Sequence, residues 1–188
     1  MKRRPLLLTL LLAGCAEGFA TSESARLPRD SIEGAGDPTR AAVSRAAFAF
    51  ANQAGLQGRP GEAARAIADM EFLAVSLPTD PRFQQRDPLL PVRLQQARAE
   101  WRRALGIPEG QPAQPVVDGL YTVWRAMRAG DQAAAAAALS PTLIPPGGAA
   151  VLARLAALPP LPQTALAADA ASRVQSESNF PFTGRPRI

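Results

Sequence analysis

The chain of 188 residues contains no histidine, and only one cysteine, Cys15. The first absence removes the commonest general base, the commonest metal ligand and the usual partner of a nucleophilic serine or cysteine. The second excludes an internal disulfide and a cysteine-type zinc site. Aromatic residues make up only 5%, and no segment alternates β-branched with polar residues, so sheet is not expected. Alanine fills roughly a fifth of the chain, an excess that favours helix. Positive charge is scarcer than it first looks. Lys and Arg outnumber Asp and Glu by 21 to 16, but Lys2, Arg3 and Arg4 supply three of those positives. Without them the net charge falls from +5 to +2. A nucleic-acid surface needs a basic stripe with interleaved aromatics. None is present, and no nucleic-acid partner is expected.

What is present begins at the N-terminus. Lys2, Arg3 and Arg4 form a basic start, an apolar run follows from Leu6 to Leu12, and small residues come next. This is the layout of a secretory signal; the run is far short of the ~20 residues that a membrane span requires. Leu12-Ala13-Gly14-Cys15 then resembles the lipobox of bacterial lipoproteins, a leucine and two small residues before an obligatory cysteine. The resemblance covers only about the first fifteen residues. It implies cleavage between Gly14 and Cys15, a diacylglyceryl thioether on Cys15 and acylation of the new amine. It therefore makes the membrane a partner through lipidated Cys15. A single acyl chain holds marginally, whereas two or three hold firmly. Ala16, where Asp favours inner-membrane retention in the Gram-negative pathway, implies the outer membrane, on its periplasmic side. On this reading residues 1–14 are a removed signal and 15–36 a lipidated cysteine with a flexible tether, rich in Ser, Gly, Glu and Arg and without hydrophobic period.

From Asp37 the pattern becomes helical. Asp37-Pro38 offers a cap followed by a proline at the first helical position. Val43, Ala46, Ala47, Phe50 and Ala54 then form one apolar face, with Phe48 off it. A second helix over about 60–77 carries Ala63, Ile67, Met70, Ala74 and Leu77, with Arg65 and Asp69 spaced as an i,i+4 surface pair. Pro78, Pro81, Pro88 and Pro91 mark a connector. Leu90, Leu94, Ala97, Trp101 and Ala104 define a third helix with Trp101 in the core. Val116, Leu120, Val123, Trp124 and Met127 define a fourth, and a fifth is built on the alanine run 133–138. A short helix follows over about 148–158, and a last one over about 162–175 carries only a weak apolar stripe. The expected fold is all-α: six or seven short helices in αα-hairpins forming one compact domain over 37–176, with a loose tail at 177–188.

Candidate chemistry is sparse. Lys2 is the only lysine and departs with the signal, which excludes a Ser–Lys dyad from the mature chain. Glu62, Asp69, Glu71, Glu100, Asp118 and Asp131 are scattered. Asp69 and Glu71 lie two apart on a helix, point to different faces and do not make a glycosidase pair. All six read as solvated carboxylates, Glu100 being a local partner for arginines. Arg93, Arg98, Arg102 and Arg103 crowd the polar side of the third helix, and Arg125 and Arg128 that of the fourth. They read as charged faces that could meet anionic envelope groups, and Trp101, Tyr121 and Trp124 as core. No catalytic, cofactor-binding or metal-binding residue is expected, and lipidation at Cys15 is the one site. The expected function is a non-catalytic, lipid-anchored envelope lipoprotein whose helical domain docks an envelope protein as an interaction or assembly module. The alternative is an apolar or anionic ligand held between the third and fourth helices, with arginines at the mouth.

Overall fold

The computed structural model describes residues 23–32, 36–145 and 147–179. Among them there is no strand, and eight α-helices pack around one core. They are α1 (Pro38–Ala51), α2 (Pro60–Ser76), α3 (Pro81–Gln84), α4 (Leu90–Leu105), α5 (Ala113–Arg128), α6 (Gln132–Ala137), α7 (Gly148–Ala156) and α8 (Pro162–Asn179). The one beyond the expected six or seven is α3, inside the proline connector. Its start repeats that of α1. Asp37 accepts the Thr39 N–H at 2.9 Å ahead of Pro38, and Asp80 accepts the Arg82 N–H at 2.9 Å ahead of Pro81. An aspartate cap followed by a proline at the first helical position nucleates a turn as readily as it breaks a chain.

The apolar stripes read from the sequence face inward, except at Ala54, which lies beyond the end of α1 at Ala51 and is exposed. Val43, Ala46 and Phe50 of α1 are buried, as are Leu94, Ala97 and Trp101 of α4 and Val116, Leu120 and Val123 of α5. Phe48 stands out of the core, 84% exposed. Neighbours in sequence such as α1 and α2 do touch, but the most extensive interface joins α2 to α5, and α8 lies across α1 and α4. The centre is therefore α2, covered by α1, α4, α5 and α7. Thirteen of its seventeen residues are buried.

Two glycines make this packing possible. Gly106 ends α4 at φ 79°, a left-handed conformation that favours glycine, and its N–H and that of Ile107 both bond the Arg102 carbonyl at 2.8 Å. Gly148 opens α7 against α6. A Cβ there would lie 1.8 Å from the Ala136 carbonyl oxygen, so any side chain would force the two helices apart.

Two boundaries differ from the sequence reading. Residues 23–32 are not a free tether: they form a strap laid on the domain, ending in a 3-10 turn at Arg29–Ser31. Ala25 and Ser31 are buried. Arg26 and Gln114 exchange two hydrogen bonds, of 2.7 and 3.1 Å. The missing hydrophobic period had suggested disorder, but the strap is held by polar and ionic bonds, which leave no such period. At the other end, α8 runs to Asn179, so residues 177–179 continue the helix rather than begin a tail.

Candidate functional site

The densest chemistry lies where α2 places two carboxylates inside the protein. Asp69 and Glu71 were read as solvated, yet both are 0% exposed. The reason is the helix that carries them: apart from the two carboxylates, α2 is apolar on all sides from Ala66 to Val75, so both of the faces they reach are covered. Burying a carboxylate alone is prohibitive, and each is saturated with donors.

Asp69 receives Arg45 in a forked pair, Nε to Oδ2 at 2.7 Å and Nη2 to Oδ1 at 2.9 Å. The Tyr121 hydroxyl donates to Oδ1 at 2.6 Å. The expected surface pair with Arg65 does not form; Arg65 instead donates to the Ser31 carbonyl at 3.1 Å and stands 4.3 Å over the Trp124 ring. Burial pushes the Asp69 carboxyl up, against the opposing pull of Arg45 and Tyr121. Burial and the adjacent Asp69 push the Tyr121 phenol up as well.

Glu71 gathers three side chains of α4. Arg98 donates to Oε1 through Nε at 2.9 Å and Nη2 at 2.7 Å, and the Trp101 indole donates to Oε2 at 2.8 Å. Arg102 reaches both oxygens, Oε2 through Nε at 3.3 Å and Oε1 through Nη2. Arg102 had been placed on the polar side of its helix but is only 3% exposed. Its remaining N–H groups bond the carbonyls of Pro108, Glu109 and Gln111 at 2.8 to 3.0 Å, which fixes the loop between α4 and α5.

The strap is sewn to this network. Glu23 takes the outer edge of Arg98 at 2.7 and 3.0 Å and accepts the Ala113 N–H at the start of α5. The Ser31 carbonyl accepts Arg45 at 3.0 Å as well as Arg65, and Asp30 pairs with Arg125 through two bonds of 2.6 Å. Arg98 and Arg125 hold the Glu23 and Asp30 carboxyls below the usual range.

Glu100 has a different task from either expectation, solvated acid or partner of arginines. It accepts the N–H groups of Gln163 and Thr164 at 3.1 and 2.8 Å and the Thr164 hydroxyl at 2.7 Å, capping α8 from across the domain. Trp101, Tyr121 and Trp124 are core residues, as read. With every oxygen of Asp69 and Glu71 engaged, the buried carboxylates act as internal latches that join α1, α4, α5 and the strap to α2. Among the described residues no cluster of acidic residues could hold a metal ion, and no helix is long and apolar enough to cross a membrane. Cys15 lies outside the described residues. No family model, curated protein or solved structure matches the chain.

Proposed function

We propose that the protein is a lipid-anchored component of the bacterial cell envelope, held in the outer membrane facing the periplasm, whose helical domain serves as a non-catalytic docking module for an envelope protein. The observation that carries this reading is Leu12-Ala13-Gly14-Cys15 at the end of a basic, then apolar, leader. Seven residues separate Cys15 from Glu23, the first described residue of the strap. Fully extended, that link spans at most about 28 Å, so an acylated Cys15 keeps the domain close to the membrane. Docking is favoured over a ligand held between the Leu90–Leu105 and Ala113–Arg128 helices because three of the arginines on those helices are already engaged. Arg98 and Arg102 are taken by Glu71, and Arg125 by Asp30. Exposed apolar side chains, Phe48 above all, offer contact area for a partner.

Cells grown with an alkynyl fatty acid should label the wild-type chain and leave Cys15→Ser unlabelled, with the mature mass beginning at residue 15. Crosslinking in native membranes should then recover a defined envelope protein with the wild type. Labelling that survives Cys15→Ser would contradict the anchor. A labelled protein that crosslinks to nothing would contradict the docking role.

A further inference from the structure

Where the strap crosses α1, α2 and α5, a groove of about 360 Å³ opens, and Ser31, Arg65, Trp124 and Arg128 line it. Three of these residues carry a buried polar atom with no hydrogen-bond partner among the described residues: Ser31 Oγ, Arg65 Nε and Trp124 Nε1. Unmade hydrogen bonds in buried positions are rare and call for an explanation. Ser31 is 1% and Trp124 5% exposed, so bulk water does not supply the missing partner. Arg65 Nε and Trp124 Nε1 can only donate, and the hydroxyl can do either. The group they lack is an acceptor.

Charge narrows the choice. Of the other ionic residues lining the groove, Arg45 is matched by Asp69 and Asp30 by Arg125. Arg65 and Arg128 have no carboxylate within ion-pair distance among the described residues, and their guanidinium carbons stand 4.3 and 5.0 Å over the Trp124 ring. An ordered water could accept one or two bonds but would leave both charges unmatched. A phosphate carries close to two negative charges and three strong acceptor oxygens, and guanidinium is the group best shaped to grip it.

We propose that this groove is a phosphate-binding site, with Arg65 and Arg128 supplying charge and the Trp124 indole and Ser31 hydroxyl supplying unpaired donors. The site stands apart from the docking role and does not need the lipid anchor. Its phosphate can belong to a free anion or to a lipid headgroup.

The two tryptophans of the chain make the test direct. In a nitrogen-15 spectrum of the full chain, the Trp101 indole signal, already bonded to Glu71, serves as an internal reference. Titration with inorganic phosphate should move the Trp124 indole signal downfield and saturably while the Trp101 signal stays fixed. Arg128→Gln alters an exposed side chain and should weaken the apparent affinity at least fivefold; Ser31→Ala should weaken it less. Arg103→Gln, on an exposed arginine of α4, should leave it unchanged. Vesicles of phosphatidylcholine with and without phosphatidic acid separate the sources. Binding that needs phosphatidic acid and falls with Arg128→Gln assigns a headgroup, and absence of vesicle binding with the free-phosphate shift retained assigns a free anion. The proposal is overturned if the Trp124 signal does not move, or if Arg103→Gln weakens binding as much as Arg128→Gln.

Discussion

Glu71 holds three side chains of α4, and that gives neighbouring arginines very different weights. Arg102 is buried, bonded to Glu71 and to three loop carbonyls. Removing Arg102 takes two of the donors from the buried Glu71 and leaves three loop carbonyls without theirs; breaking a buried ion pair costs about 3–5 kcal/mol. Arg102→Ala should therefore melt far below wild type, much as Trp101→Ala should, where a large buried side chain and its bond to Glu71 both go. Arg103→Ala, exposed one residue along, should change stability by less than about 0.5 kcal/mol. Thermal melts of the three variants check the ranking; an Arg102→Ala melt that overlays that of Arg103→Ala would show the Glu71 latch to be energetically idle. The Leu94–Ala97–Trp101 stripe was legible because apolar side chains repeat at helical spacing. The burial of Arg102 was not, because it depends on a carboxylate thirty-one positions away in sequence. A signal for Glu71 did exist. With Asp69 it interrupts a stretch, Ala66 to Val75, that is otherwise apolar all round, and such stretches are covered on every face.

Elements in this fold are finished by other elements. The first N–H groups of α8 have no cap from the chain before them; Glu100 of α4 provides it. A helix start that loses its capping oxygen is destabilised by about 0.5–2 kcal/mol. In Glu100→Ala, amide exchange at Gln163 and Thr164 should accelerate while the centre of α5 keeps its protection. Unchanged exchange at both positions would mean that the cap contributes nothing. The weakness of the 162–175 region in sequence has the same origin. Its own stripe is modest, and what holds it is packing on α1 and α4 with a cap from α4. Helix starts with their own cap, such as Asp37-Pro38, could be read directly. Those capped from elsewhere could not.

At the scale of the whole molecule, the helical class and the main core faces followed from alanine content and apolar period. The pairing of α2 with α5 and the docking of residues 23–32 did not. Both are long-range, and the strap is attached by ion pairs and backbone carbonyls, contacts that leave no periodic trace. Its role concerns the protein as a unit: residues 23–32, ahead of the first long helix, are part of the fold rather than an appendage to it. The direct measurement compares thermal melts of the chain from residue 23 and from residue 37. Both should be helix-dominated by circular dichroism, and the longer should melt higher by at least about 5 °C, equivalent to roughly 1–2 kcal/mol in a domain of this size. The native carboxyls of Glu23 and Asp30 lie below their ordinary values of 4.5 and 3.8. Their contribution is therefore complete above those values and is lost as pH falls through the lowered native ones. The melting difference should accordingly hold at neutral pH and shrink in acid or high salt, since both carboxylates are partly exposed. Coincident melts at neutral pH would contradict the account and return residues 23–32 to the status of a simple tether.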